Sequence, residues 1–208
     1  MRLDVPDAGT RPTSDRVRES LFGSLESMDA IDGARVLDLY AGSGALGLEA
    51  WSRGATRVDF VERGRTAAAA ISRNIGVVAK SLGGPPAARV RESPAARVHQ
   101  SPAARVHQST VQSFLARTTG SYDLVFTDPP YDLDDAAMDA DLAALAPLLA
   151  PDAVIVIERG KRAATPLFAD VGLELLREKT YGDTRLWWAA PAQPRDDGVQ
   201  ATVASQSR

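Results

Sequence analysis

Short apolar runs that alternate with helix-patterned stretches constrain this chain most. Arg35–Tyr40, Arg57–Glu62, Arg105–His107, Tyr122–Thr127 and Ala153–Ile157 read as strands. Between them Ala45–Arg53, Thr66–Lys80, Val111–Arg117 and Ala136–Leu149 carry helical patterns. Strands alternating with helices predict a parallel, doubly wound sheet. Past a short helix near Thr165–Asp170, two further strands, Leu173–Tyr181 and Arg185–Ala190, are separated only by Gly182-Asp183-Thr184. Strands so close in sequence pair as a hairpin. The expected fold is therefore α/β, a mostly parallel seven-stranded sheet ending in an antiparallel hairpin, unlike a plain dinucleotide-binding fold.

Two segments stand outside this alternation. Pro86–Ser93, Pro94–Ser101 and Pro102–Ser109 each read Pro-Ala-Ala-Arg-Val, a polar pair, then Ser. An eight-residue period headed by Pro is too short for a solenoid and builds no core. Residues 81–103 are expected to be a lengthened surface loop within one domain, 1–190, with the last copy doubling as the third strand. A basic arm touching nucleic acid is the alternative. The tail, 191–208, is polar and is expected to be disordered. Charge is uneven too: Ser121–Glu158 holds nine acids and no Lys or Arg, which reads as an acidic face or cleft edge.

Composition removes several classes of chemistry. The 208 residues include no cysteine, which excludes disulfides, iron–sulfur clusters and thiol nucleophiles. With His99 and His107 the only histidines, metal sites and Ser-His-Asp triads have little to draw on, and no metal is expected. No apolar run approaches the ~18 residues of a membrane span, and no leader pattern opens the chain, so a cytoplasmic protein without membrane association is expected. The formal net charge of −3 gives no overall positive field, so a nucleic-acid partner has to be argued from a local site.

Asp38-Leu-Tyr40-Ala41-Gly42-Ser43-Gly44-Ala-Leu-Gly47 spans the first strand-to-helix junction. Its Gly42-x-Gly44-x-x-Gly47 spacing matches the dinucleotide fingerprint, and Glu62 at the next strand end would accept ribose hydroxyls. The spacing alone does not separate a nicotinamide site from an S-adenosylmethionine site. Asp38 favours the latter, since a carboxylate there opposes phosphates and suits the ammonium of a methionine moiety.

Asp128-Pro129-Pro130-Tyr131 closes the fourth strand. The Pro pair ends the ladder and sets the direction of the carbonyls. Together the Asp carboxylate and a rigid carbonyl can accept both hydrogens of a planar exocyclic amine, while Tyr131 offers a stacking face. Accepting those hydrogens localises charge on nitrogen as a methyl group arrives, so positioning and electrostatics suffice without a His base. A third string, Arg11-Pro-Thr13-Ser-Asp15-Arg16-Val-Arg-Glu-Ser-Leu-Phe22, reads from the residues alone as the start of a solvated helix, with Val17, Leu21 and Leu25 on one face.

With these three motifs the chain resembles the RsmD-type bacterial 16S ribosomal RNA guanine-N2 methyltransferases, from about Leu3 to Trp188 with the repeat excluded. The 11–22 string, Asp38–Gly47, Asp128–Tyr131 and Tyr181-Gly-Asp-Thr-Arg185 carry the likeness. It implies a class I, Rossmann-like methyltransferase fold with S-adenosyl-L-methionine as donor. It also implies a monomer acting on the N2 amine of one guanine of 16S rRNA, within an assembled or assembling small subunit. Asp128, Pro129, Pro130 and Tyr131 would be catalytic. Asp38, Tyr40, Ala41, Gly42, Ser43, Gly44, Gly47, Glu62, Arg63, Ser109 and Thr110 would hold the cofactor, Ser109 and Thr110 standing where many methyltransferases place an acid for the adenine amine. Arg11, Thr13, Asp15 and Arg16 would move to the mouth of the site. Family members usually open with a basic Gly-containing hairpin, and the start at Met1-Arg-Leu leads to the expectation that this RNA-contacting element is absent or lost to a misplaced start.

The rivals are a DNA amino-methyltransferase acting on adenine N6 or cytosine N4, a protein glutamine methyltransferase and a nicotinamide-dependent oxidoreductase. The first needs room for a sequence-reading domain and a flipped-base pocket, and little remains beyond the catalytic fold. The second would more often carry Asn at position 128. The third is opposed by Asp38 and Asp128.

Overall fold

The computed structural model describes residues 15–82 and 103–193. In chain order these form α1 (Asp15–Ser27), β1 (Arg35–Leu39), α2 (Ala45–Ser52), β2 (Arg57–Glu62), α3 (Arg65–Ser81), β3 (Ala104–Gln108), α4 (Val111–Leu115), β4 (Tyr122–Thr127), α5 (Asp135–Leu145), β5 (Leu149–Gly160), β6 (Leu173–Tyr181) and β7 (Thr184–Pro191). The strands make one sheet of seven in the order β3-β2-β1-β4-β5-β7-β6. β1 to β5 are parallel, and β7 runs antiparallel between β5 and β6.

Alternation along each strand divides the core in two. Val36, Val58, Phe60, Leu124, Phe126, Val156 and Trp188 face α1, α2 and α3. Leu37, Leu39, Val61, Val125, Ile155, Ile157 and Trp187 face α4 and α5. Trp187 and Trp188 point to opposite cores and are both fully buried, because β7 has a strand on either side and a layer on both faces. On α1, Val17, Leu21 and Leu25 form the expected buried face, and Phe22 packs on Phe126 with ring centroids 5.9 Å apart.

Five elements differ from the sequence expectation. Tyr40 is not the last residue of β1: its φ of 57° takes the backbone out of the strand and into the glycine turn. The helix expected to run to Leu149 stops at Leu145, because Pro147 tightens Ala146–Leu148 into a 3₁₀ turn. β5 then begins at Leu149 and runs through Glu158 and Arg159, which lie opposite Leu186 and Arg185 of β7. α4 ends at Leu115 rather than Arg117, and the helix expected near Thr165–Asp170 is a 3₁₀ turn, Phe168–Val171, closed by Gly172 at φ 72°. The last repeat copy does supply β3. The expected loop, 81–103, and disordered tail, 191–208, lie mostly outside the described residues, but at their edges Ser81 ends α3 and Pro191 ends β7, opposite Leu173. Among the described residues no helix is long and apolar enough to cross a membrane.

The strand order reverses between β1 and β4. In doubly wound sheets ligands bind at the carboxyl ends of strands beside such a switch point. Asp38–Gly47, Glu62, Asp128–Tyr131 and Gly160 all sit there, following or closing β1, β2, β4 and β5.

Candidate active site

The glycine turn after β1 is held by its own acids. Asp38, 3% exposed, accepts the Gly47 N–H through Oδ2 at 2.9 Å. Glu62 bridges two turns, accepting the Gly42 N–H at 2.9 Å and the Gly64 N–H at 2.5 Å. The loop backbone continues the ladder toward β2, with Ala41 N donating to Val61 O at 3.0 Å. Gly42 and Gly44 have φ of 56° and 76°, which favour glycine. Gly47 is required for another reason: a Cβ there would lie 2.5 Å from Phe60 Cε1 and 2.9 Å from Val58 Cγ1. Its absence lets α2 lie close on β2 and brings the Gly47 N–H to Asp38.

Burial raises the Asp38 carboxyl from 3.8 to about 7; the Gly47 N–H works against this and the nearby Glu62 charge adds to it. A buried acid in this state favours a cationic ligand, whose charge restores the ionised form. Tyr40 turns its hydroxyl to Asp141 of α5, whose other oxygen accepts from Gln112 Nε2 at 2.8 Å. Burial foremost, with the hydrogen bond to Asp141, holds the Tyr40 hydroxyl above its usual range. Ser43 lends its carbonyl to Asn74 Nδ2 at 3.3 Å.

Asp128 ends the central strand, and its carboxyl is held well above the ordinary range, by burial first and then by the Glu158 and Asp38 charges. Asp38 in β1, Asp128 just past β4 and Glu158 in β5 thus lie close enough for the Asp38 and Glu158 charges to oppose ionisation of Asp128. Pro129 is buried, whereas Pro130 and Tyr131 are exposed, Tyr131 at 69%. Leu133 N donates to Pro130 O at 3.0 Å, so the chain folds back on itself after the proline pair. Beside this turn is a cavity of about 670 Å³, lined on one side by Tyr131–Asp135 and on the other by Arg159–Ala163 and Asp183.

The remaining expected residues lie where their elements place them. Arg63 is exposed just past β2. Ser109 N donates to Glu62 O at 3.2 Å, and Thr110 caps α4 by accepting from Ser113 N, so its hydroxyl is engaged locally. Arg11 and Thr13 lie outside the described residues, as does the side chain of Asp15. Arg16 is exposed on the first turn of α1. That helix is tied to the terminal hairpin by Ser20 Oγ and Tyr181 Oη, 2.6 Å apart. Since Tyr181 pairs with Thr184, itself opposite Gly160, the start of α1 lies toward the carboxyl edge of β5.

Sequence reasoning missed Glu158, Arg159 and Asp141. Glu158 and Arg159 are 8% and 7% exposed at the end of an apolar strand, and two charged residues continuing such a run were the available signal. Asp141 is also buried, but nothing in the Ala-rich helix pattern marks it. The acidic stretch 121–158 is not one face: Asp123 accepts from Arg35 N, Asp134 caps α5, and Asp139 accepts from Leu167 N.

Comparison with known proteins agrees with this architecture. Residues 1–190 match a family described as "Conserved hypothetical protein 95". Ribosomal RNA small subunit methyltransferase D of Escherichia coli is 34% identical over 182 residues, 87% of this chain and 80% of that protein. The Haemophilus influenzae protein of the same name is 34% identical over 84% of this chain and 79% of its own. Among solved structures, Escherichia coli yhhF superposes with a TM-score of 0.70 at 32% identity, covering 91% of each chain. A magnesium protoporphyrin IX methyltransferase from Synechocystis, solved with bound SAM, shares the fold at a TM-score of 0.61 and 16% identity. The fold is thus the class I, Rossmann-like methyltransferase fold, and the chain belongs to the RsmD family of methyltransferases.

Proposed function

We propose that this protein methylates ribosomal RNA of the small subunit, at the exocyclic N2 amine of a guanine. The observation that carries the reading is the convergence of Asp38, Asp128 and Glu158 on one centre, with Asp128 fixed by a proline pair beside an exposed aromatic ring. The methyl donor is S-adenosylmethionine, and when bound it supplies an electrophilic methyl on a cationic sulfur. The donor set fits such a ligand: Asp38 has one oxygen on Gly47 and the other for the ammonium, while Glu62, already bracing Gly42 and Gly64, keeps lone pairs for ribose hydroxyls. On this reading Tyr40, Ala41, Ser43, Gly44 and Arg63 border the cofactor, and Ser109 and Thr110, which follow β3 with Ser109 N on Glu62 O, serve its adenine.

At the other end Asp128 and the Pro129 carbonyl accept the two amine hydrogens, and Tyr131 stacks on the base. A cation next to the acid centre favours ionised Asp128, so the acceptor is available when the target amine arrives. With the methyl group supplied by the bound donor, Asp128 would take up the proton that the amine nitrogen gives up on methylation and pass it to solvent. Electrostatics and position carry the step. Arg16, with Arg11, Thr13 and Asp15 before it, belongs to the mouth through which RNA approaches.

The test is transfer of tritiated methyl groups to small-subunit particles, naked 16S RNA and DNA, with nucleoside analysis of each product. Label in N2-methylguanosine from particles or RNA supports the reading. Label in N6-methyladenine or N4-methylcytosine of DNA overturns it in favour of the DNA amino-methyltransferase. Calorimetric titration with S-adenosylhomocysteine and NADH separates the oxidoreductase: binding of NADH alone would contradict the cofactor assignment.

A further inference from the structure

Behind the turn that presents Tyr131 lies a buried guanidinium that no motif singled out. Arg159, 7% exposed, donates from Nη2 to the Leu133 carbonyl at 2.5 Å, and the same nitrogen lies 3.3 Å from Asp135 Oδ1. We propose that Arg159 is a positioning residue for methyl transfer, pinning the 130–135 turn so that the Tyr131 ring is held over Gly160 to receive the target base. This rests on the role given above to Tyr131.

A side chain that is 69% exposed has little packing of its own, so its position is inherited from its backbone. That backbone is fastened at three points. Leu133 N closes the turn on Pro130 O at 3.0 Å, Arg159 takes the Leu133 carbonyl, and Asp134 caps α5 through Ala137 N at 2.7 Å. Beyond the covalent run from β4 through the buried Pro129, the Arg159 contact is the side-chain tie from the neighbouring strand, because Arg159 belongs to β5, opposite β7. The next residue, Gly160, completes the arrangement: a Cβ there would sit 3.5 Å from Tyr131 Cδ1 and 3.6 Å from Cε1. One dipeptide thus holds the turn and supplies the floor under the ring.

A stability role alone accounts poorly for Arg159. Its ion-pair partner Asp135 is 53% exposed, and desolvating a guanidinium against a half-solvated carboxylate brings little net gain. What the contact does supply is direction, since a planar guanidinium donates along set lines to a carbonyl at the end of a tight turn.

The proposal is tested by a double-mutant cycle on the full chain, with small-subunit particles as methyl acceptor. Arg159→Met is expected to lower kcat about tenfold or more, the scale of loss when a reacting group is misplaced, with affinity for S-adenosylhomocysteine unchanged. Arg159→Lys retains one donor for the Leu133 carbonyl and should recover part of the rate. In a Tyr131→Ala background the Arg159→Met change should cost less than about twofold, because its effect runs through Tyr131. Equal fold-losses in both backgrounds, or a loss matched by weaker cofactor binding, would overturn the proposal. If Tyr131→Ala alone leaves the rate unchanged, the stacking role itself fails and the proposal with it, an outcome distinct from additivity. Should Arg159→Met fail to fold, the same cycle with Arg159→Lys decides the question.

Discussion

A buried carboxylate with one backbone donor, such as Asp38, resists ionisation until a cation arrives. Its carboxyl stands at about 7 against an ordinary 3.8, so between those values the folded chain keeps a proton that the unfolded chain releases. Stability therefore falls as pH rises through that window, the sign expected of an acid whose folded pKa is raised. Asp38→Asn should flatten this slope: thermal melts from pH 4 to 7 should show the native protein losing ground to the variant, and parallel curves would contradict the assignment. Asp59 acts in the opposite sense. Burial works to raise it, but His107 and Arg57 outweigh that and lower it. It is common to both proteins and cancels in the comparison. The same variant should bind S-adenosylhomocysteine about 10–100-fold more weakly, the scale of a lost hydrogen bond to a charged group, as read by calorimetry. At this scale the sequence was most legible where a residue type has few uses. Asp38 before a glycine turn and Asp before Pro-Pro are such cases. Glu158 was not legible, because its approach to Asp128, 30 positions earlier, depends on β4 and β5 being neighbours in the sheet.

The elements were predictable where period and punctuation agreed. β4 was expected at Tyr122–Thr127 and is found there, and the terminal hairpin followed from its short turn. The unexpected length of β5 comes from tertiary pairing: Glu158, Arg159 and Gly160 are strand because Leu186, Arg185 and Thr184 of β7 lie opposite them. Close packing of α2 on β2 makes a prediction of its own. Gly47→Ala places a methyl group 2.5 Å from Phe60 Cε1 and should cost about 1–3 kcal/mol, seen as a lower Tm. An unchanged Tm would mean that α2 is free to shift. The repeat offers a complementary test. β3 is built from the third copy, with Val58 N donating to Ala103 O at 2.7 Å at its start. Deleting Pro86–Ser101 therefore removes no described residue, and Tm and cofactor affinity should hold; a large fall in Tm would show that those two copies support the sheet.

Across the whole molecule, charge decides how the protein meets its substrate. A net charge of −3 gives no general attraction to a polyanion, and part of it comes from Asp38, Glu62 and Asp128, the acids proposed to serve the cofactor and the target amine. The cations beside the 670 Å³ cavity, Arg159, Lys161 and Arg162, are set among acids, with Arg159 3.3 Å from Asp135 and Lys161 2.5 Å from Asp183. Free RNA should accordingly bind weakly at physiological salt, and an assembled particle, which presents a shaped surface, should be the better methyl acceptor. Naked 16S RNA methylated as fast as particles would contradict this. The central claim, that Asp128 acts on the target amine and not in holding the donor, is tested most directly by measuring Asp128→Ala twice: once for S-adenosylhomocysteine affinity and once for single-turnover methylation of small-subunit particles. The expected result is an affinity within a few fold of native and a rate reduced by about 10²-fold or more, the scale of a lost electrostatic acceptor. N2-methylguanosine formed at the native rate by that variant would contradict it.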